Sequence, residues 1–166
     1  MGALVAAGAC SETTAPSFTD PHGLVAGGSH TCVLSADSLA RCWGANSSGE
    51  LGDGTTIDRS QPGEVLGDHR FIQLAAGVAH TCGIDRGGQA YCWGRGGSGQ
   101  LGNGGTSDSP SPVPVGGDAR FTAIAANGYQ TCGITSTRSA YCWGYNLDGQ
   151  LGDGTNDPRT VPTPVA

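Results

Sequence analysis

The strongest constraint on this sequence is an internal repeat with a period of 50 residues. The step recurs at cysteine, tryptophan and glycine positions: Cys32, Cys82 and Cys132; Cys42, Cys92 and Cys142; Trp43, Trp93 and Trp143; Gly52, Gly102 and Gly152. So strict a register across most of 166 residues indicates three tandem copies of one structural unit. We place the copies at about residues 22–70, 71–120 and 121–166, in one domain of residues 21–166 that follows a segment of residues 1–20 outside the fold.

Each copy contains short strand-like segments and no pattern typical of a helix. Segments such as TCGI and AYCWG alternate with glycine-rich turns, and apolar residues do not recur at the 3.6-residue spacing of an amphipathic helix. A unit of about 50 residues with several short strands is typical of a β-propeller blade. We therefore predict an all-β fold of three tandem blades, a partial propeller or one completed by oligomerisation.

Three blades are fewer than the roughly four to eight that usually close a propeller. At this stage three arrangements are open. The chain is a fragment of a longer array, or two copies pair into a ring of six blades, or the three blades persist as an open arc. We favour the fragment of a longer array, or a short paralogue, and pairing is the next alternative.

A longer motif links the repeat to a known family. Residues 141–155 read YCWGYNLDGQLGDGT and resemble the repeat of the regulator of chromosome condensation family. Residues 74–80, LAAGVAH, are similar to that family's A-x-G-x-x-H element, from which the third copy departs at Asn127 and Gln130. The resemblance covers about residues 22–166 and implies a β-propeller, commonly of seven blades, that serves as a protein-binding platform.

Six of the seven cysteines form three equivalent pairs, each with nine residues between the partners. In a hairpin centred on residue 37, Cys32 and Cys42 lie directly opposite one another and within disulfide distance. We predict disulfides Cys32–Cys42, Cys82–Cys92 and Cys132–Cys142, and hence an oxidising compartment. Two alternatives are structural zinc, which would recruit His30 and His80 but finds Gln130 in the third copy, and reduced packing thiols. The paired cysteines also resemble those of exported bacterial members of the family.

The seventh cysteine has a different setting. Cys10 follows small residues (residues 7–9, AGA) and precedes a polar stretch, SETTAPS. The arrangement resembles the cleavage region of a bacterial lipoprotein signal, in which the cysteine carries lipid. We therefore predict an exported protein, at the cell surface or in the periplasm and anchored through Cys10. A truncated ordinary secretion signal and a plain disordered tail are the alternatives.

No polar cluster breaks the symmetry of the repeat as a catalytic constellation would. The sequence therefore predicts a non-enzymatic protein without catalytic, cofactor or metal residues. A lyase or hydrolase built on propeller loops is one alternative. Another is guanine-nucleotide exchange on a small GTPase, which the resemblance implies because eukaryotic members of the family have that function. The net charge of −6, with arginine as the only strongly basic residue type, argues against nucleic acid as a partner.

Binding residues are expected where the copies differ, because loops carry recognition on a rigid repeat scaffold. The three tryptophans and the two repeated histidines do not vary in this way, and we interpret them as packing and hydrogen-bonding residues of the framework. Tyrosine and arginine are prominent at protein interfaces. The candidate protein-binding residues are therefore Arg95, Tyr129, Tyr145 and Leu147.

Overall fold

In a computed structural model of the protein, residues 23–166 are described, and they form twelve strands. The strands are β1 (Leu24–Ala26), β2 (His30–Leu34), β3 (Ala40–Gly44), β4 (Arg59–Glu64), β5 (Phe71–Ala76), β6 (His80–Asp85), β7 (Ala90–Gly94), β8 (Ser109–Pro114), β9 (Phe121–Asn127), β10 (Gln130–Thr135), β11 (Ala140–Gly144) and β12 (Arg159–Pro164). The lipid site predicted at Cys10 lies outside the described residues.

The strands form three separate four-stranded sheets in which each strand pairs with its neighbour in sequence. We call β1–β4 blade 1, β5–β8 blade 2 and β9–β12 blade 3. All pairings are antiparallel. The prediction of an all-β partial propeller is confirmed. Among residues 23–166 no helix is long and apolar enough to cross a membrane.

The cysteine pairs lie in the central hairpin of each blade. The register of β2 and β3 sets Cys32 directly opposite Cys42, and the hairpin turn closes with a hydrogen bond from Ser35 N to Leu39 O (2.9 Å). The same register recurs in the other blades, and all three pairs form disulfides with Cα–Cα distances of 4.0–4.1 Å. The sulfurs are therefore not available as zinc ligands.

Each blade has two apolar faces because side chains alternate along its strands. The cysteine face carries the disulfide, and the tryptophan face carries the tryptophan of β3, β7 or β11. Blades 1 and 2 meet through Cys32, Leu34, Ala40 and Cys42 against Phe71, Leu74 and Trp93; blades 2 and 3 meet through Cys82, Ile84, Ala90 and Cys92 against Phe121, Ile124 and Trp143. The core thus consists of two equivalent junctions.

A glycine in the middle of β6 makes room for one of these contacts. A Cβ atom at Gly83 would lie 2.6 Å from Cδ1 of Phe71, and Gly133 stands in the same relation to Phe121. The β-strand loses side-chain packing at glycine, but each phenylalanine ring packs directly against the glycine backbone of its own blade. The sequence pattern TCGI therefore encodes a packing site.

Removing one disulfide should cost stability. The loop-closure model gives about 3 kcal/mol for a loop of this length, so we expect Cys132→Ala/Cys142→Ala to lower the free energy of unfolding by that order. The loss should be larger for Cys82→Ala/Cys92→Ala, because those side chains are fully buried at a junction. Urea unfolding under non-reducing conditions, followed by tryptophan fluorescence, measures both. Unchanged midpoints would contradict this account.

Candidate protein-binding surface

The turns and long loops of every blade emerge at the same end. In blade 1, His30 at the start of β2 pairs with Gly44 at the end of β3, so the turn before β2 and the loop after β3 are neighbours. The other blades repeat this pairing. We call this end the loop edge; it comprises turns 27–29, 77–79 and 128–129 and loops 45–58, 95–108 and 145–158.

Backbone hydrogen bonds join the turn and the loop within each blade. Their donors and acceptors are Ala45 N and Ser29 O (2.8 Å), Arg95 N and Ala79 O (2.8 Å), and Tyr145 N and Tyr129 O (2.9 Å). These are among the positions at which the three copies differ. The variable side chains are therefore adjacent pairs on a fixed backbone.

Further contacts join the loop edge across blades. Gly28 N donates to Val78 O (3.1 Å), and Val78 N donates to Gly128 O (2.9 Å). The Arg95 guanidinium of blade 2 lies 5.3 Å from the centre of the Tyr129 ring in blade 3, within the range of a cation–π interaction. The turns and this pair thus form one continuous strip.

The structure brings the four predicted residues to this one edge. Leu147 is 58% exposed and Tyr129 37%; Arg95 is exposed and Tyr145 is half-buried. Val78, 45% exposed on the neighbouring turn, adds apolar surface that sequence reasoning missed. The sequence alone does not point to Val78, because a valine in a repeat of this kind is normally assigned to the core.

A buried asparagine organises the loops of blades 1 and 3. The Asn46 amide donates to Thr55 O (3.0 Å) and Ile57 O (3.1 Å), and its carbonyl accepts from Leu51 N (2.9 Å). Asn146 makes the equivalent bonds in blade 3. Residues 46–48 match an N-glycosylation sequence. The Asn46 side chain is fully buried, however, and both its amide nitrogen and its oxygen form hydrogen bonds, so a glycan cannot be attached to it in the folded chain.

Blade 2 builds the same loop without this amide. Gly96 occupies the asparagine position, and its backbone N–H donates to Asp108 Oδ1 (2.9 Å) as Asn46 N–H does to Asp58 Oδ1 (2.8 Å). The side-chain bonds to residues nine and eleven positions ahead are lost. The loop that carries Arg95 is therefore held by fewer bonds than its two counterparts.

Each copy contains an L-G-[DN]-G segment, at Leu51, Leu101 and Leu151, and these segments are ordinary turns. Asp153 Oδ1 accepts from Thr155 N (3.0 Å), and Gly154 has a positive φ of 79°. Hydrogen bonds from the Thr155 hydroxyl and then from Arg159 Nε (2.6 Å) lower the pKa of Asp153 to about 2. Within residues 23–166 no group of three or more His, Cys, Asp or Glu side chains is arranged to hold a metal ion.

A polar relay crosses each junction between blades beneath this surface. The Thr81 hydroxyl of blade 2 donates to Glu50 O (3.0 Å) in the loop of blade 1 and accepts from His30 Nε2 (2.8 Å). Trp93 Nε1 donates to the same carbonyl (2.9 Å). The next junction repeats the relay with His80, Thr131, Gln100 and Trp143. The histidines and tryptophans are framework residues, as the sequence predicted.

Burial favours the neutral form of the two relay histidines. Because the threonine hydroxyl donates to a carbonyl, it accepts a hydrogen bond from Nε2–H, and in the neutral ring Nδ1 is then the unprotonated nitrogen. Burial lowers the pKa of both His30 and His80 to about 4. His80 Nδ1 is buried without a hydrogen-bond partner in the described part of the chain, so a proton there would have no acceptor.

The third copy departs from this pattern at two coupled positions. A Cβ atom at Gly77 would collide with the imidazole of His80, and Gly27 stands in the same relation to His30. In blade 3, Asn127 replaces the glycine and Gln130 replaces the histidine. The larger side chain is accommodated because the ring that excluded it is absent.

Sequence profiles of the regulator of chromosome condensation (RCC1) repeat match residues 42–84, 87–134 and 139–166, and a second profile of the same repeat matches residues 22–50, 71–100 and 121–150. The chain belongs to the RCC1 repeat family. The resemblance seen in the sequence is confirmed. Comparison with the curated proteins gives no match.

Several solved structures share the fold of this chain. Human WBSCR16 superposes with a TM-score of 0.78 at 22% identity, and Prp20p from Saccharomyces cerevisiae with 0.75 at 23%; each match covers 86% of this chain and 37% of that one. The ectodomain of the Physcomitrella patens receptor kinase CR4 matches with 0.54 at 26% identity, over 80% of this chain and 31% of that one. The chain thus spans about a third of the length of these structures.

The histidine relay predicts that the stability of the RCC1 blades falls in mild acid. Between pH 6.5 and 4, His30 and His80 bind a proton in the unfolded chain but stay neutral in the folded chain. The free energy of unfolding therefore decreases as pH falls. The loss should be roughly 2–3 kcal/mol per histidine by pH 4. Urea unfolding at pH 7, 5.5 and 4 measures it.

His80→Gln is the matched variant, because glutamine is the natural residue at this position in blade 3. We expect it to be less stable at pH 7 but to lose less stability on acidification, by the share of one histidine. An identical pH dependence in the two proteins would show that His80 is not the titrating group.

Proposed function

We propose that this protein is an exported RCC1-repeat scaffold that binds a protein partner through its loop edge, chiefly through Arg95, Tyr129, Tyr145 and Leu147. The carrying observation is that an arginine, two tyrosines and a leucine converge at the one end where the framework allows variation. Aromatic and arginine side chains dominate binding energy at protein interfaces. The cation–π pair would also hold Arg95 and Tyr129 ready before a partner arrives, which reduces the entropy lost on binding.

Export is supported by the three disulfides, because such bonds persist in oxidising compartments. An RCC1-like fold also occurs in the ectodomain of a plant receptor kinase. We retain lipid attachment at Cys10, in a bacterial source, as part of the proposal. A second copy of the chain is the other expected partner.

Nucleotide exchange on a small GTPase is the competing function. Prp20p is described with its binding to Gsp1p and histones, but a likeness at 23% identity bears on the fold, and this chain spans 37% of that protein. An oxidising compartment would separate the chain from such a substrate. We expect no acceleration of guanine-nucleotide release from a small GTPase, and an acceleration would replace our proposal.

Binding at the loop edge is tested by comparing alanine variants of Tyr129 and Arg95 with a control variant of an arginine at the other end of the same blade. A partner captured by the immobilised wild-type chain and then purified should bind Tyr129→Ala and Arg95→Ala about tenfold or more weakly, as expected for hot-spot residues. Arg86→Ala is the control, because Arg86 is an exposed arginine on the hairpin turn at the opposite end of blade 2. Titration calorimetry gives the dissociation constants.

Equal weakening by Arg86→Ala and Arg95→Ala would point to a charge effect without a defined site. Loss of binding only in Arg86→Ala would move the site to the opposite end. Circular dichroism of each variant separates these results from unfolding.

Dependence on an oxidising compartment is tested by changing where the chain is made. Behind a cleavable secretion signal in a bacterium, we expect the chain to acquire all three disulfides and to resist protease. Retained in the reducing cytoplasm, it should contain free thiols and be degraded faster, because each blade loses its cross-link. Equal protease resistance in both compartments would argue against export as a requirement.

A further inference from the structure

The two linkers that join consecutive blades differ in the side chain that they place against the next blade. Residues 66–70 read LGDHR and residues 116–120 read GGDAR, so Ala119 stands where the first linker has His69. The His69 imidazole stacks on the Tyr91 ring, with 4.2 Å between the ring centres. Alanine carries no ring, so the second linker has nothing to stack on the corresponding tyrosine of blade 3.

That tyrosine keeps its position without the stacked ring. Phe71 and Tyr91 meet edge to face with 6.2 Å between their ring centres, and Phe121 and Tyr141 meet edge to face at the same distance. The aromatic platform is therefore present at both junctions. Only the first junction has an imidazole on it.

The space of the missing imidazole is open. Gly67 and Gly117 have the same backbone conformation, with φ of 84° and 85°. A Cβ atom at Gly67 would lie 2.9 Å from the His69 ring, whereas one at Gly117 would meet no heavy atom within 4 Å, chain neighbours apart, among residues 23–166. A hollow of about 390 Å³ lies here, which we call the linker hollow; it is lined by Gly116, Gly117, Asp118, Ala119, Tyr141 and Pro162.

The lining of the linker hollow favours a planar ring that carries an N–H group. Tyr141 offers an aromatic face, and aromatic rings attract one another in stacked and tilted arrangements. Asp118 is the charged residue of the lining, and its carboxylate can accept a hydrogen bond from a ring nitrogen. An imidazole has both properties, and His69 shows that an imidazole fits on this platform.

We propose that the linker hollow is a second binding site, which takes the imidazole ring of a histidine on a partner protein and stacks it on Tyr141. A side chain of a partner can reach the hollow from outside, because Gly117 and Asp118 are exposed. A ring that fills a pocket in this way is the kind of anchor that dominates binding energy at protein interfaces.

The site does not rest on the function proposed for the loop edge. The linker leaves β8 where Val115 N donates to Ala90 O (2.9 Å), at the end of blade 2 opposite to the loop edge. None of the four residues proposed to bind a partner at the loop edge lines the hollow.

Free imidazole is the first probe. At constant pH it should shift the backbone amide signals of Gly117 and Asp118 in the NMR spectrum of the full chain, because the bound ring lies beside them. We expect a dissociation constant of millimolar order, as is usual for so small a ligand. The amide signal of Arg95, at the loop edge, should stay in place.

Exchanging the residues of the two linkers tests the position of the bound ring. Ala119→His should supply the ring from the chain itself, so that imidazole binds about tenfold or more weakly. Ala119→Ser is the matched control, because it changes the same position without adding a ring, and it should bind as the wild type does. His69→Ala should open the first junction, so that imidazole also shifts the amide signals of Gly67 and Asp68. Circular dichroism establishes that each variant is folded.

N-acetylhistidine methylamide is the second probe, and it distinguishes a histidine side chain from a free heterocycle. We expect it to shift the same amide signals at least as strongly as imidazole. The corresponding lysine derivative has a positive charge and no ring, and it should bind about tenfold or more weakly.

Four results would overturn the proposal. Unchanged amide signals would mean that the hollow does not bind the ring. Equal binding by the wild type and Ala119→His would place the probe elsewhere. Exclusion of the histidine derivative while imidazole binds would indicate a site for a free heterocycle. Equal binding of the lysine derivative would indicate attraction to Asp118 by charge alone. Partner binding by the loop edge can survive each result, so the two proposals fail separately.

Discussion

The structure depends on one interaction, the shared carbonyl at each junction between blades. Glu50 O accepts both the Thr81 hydroxyl and the Trp93 indole, and a buried carbonyl can satisfy two donors with its two lone pairs. The acceptor is backbone, so the side chain at this position varies between Glu50 and Gln100 without loss. Since residue 50 belongs to the long loop of the preceding blade, the bond that joins two blades also anchors the loop that forms the exposed edge.

The division of labour within a blade follows from this anchoring. The disulfide, the tryptophan and the relay are repeated because each junction needs the same contacts. Much of the variation falls at positions that contribute side chains to the loop edge and little to a junction. The loop of blade 2 differs most from the other two, because it has Gly96 in place of the asparagine whose side-chain amide organises the loops of blades 1 and 3. Its loop instead brings Arg95 against a tyrosine of the next blade.

Much of the fold could be predicted from the sequence because each position of the repeat occurs three times, and the three residues can be compared. The hairpin register, the disulfides and the packing role of tryptophan all followed from spacing and residue type. The coupled exchange of Gly77 and His80 for Asn127 and Gln130 was visible only as two departures, because the collision that links them is three-dimensional. The contact of Arg95 with Tyr129 was likewise hidden, since the residues lie in different copies.

The sequence by itself determined the blade: its strands, its turns and its cross-link, all of which rest on contacts between residues close along the chain. Only the tertiary structure decided how blades meet and what they leave exposed. A junction joins residues about 50 positions apart, and nothing local to the chain specifies which faces combine. The exposure of Ile134 at one end and Leu24 at the other is a property of the array, because identical positions are buried wherever a neighbouring blade covers them.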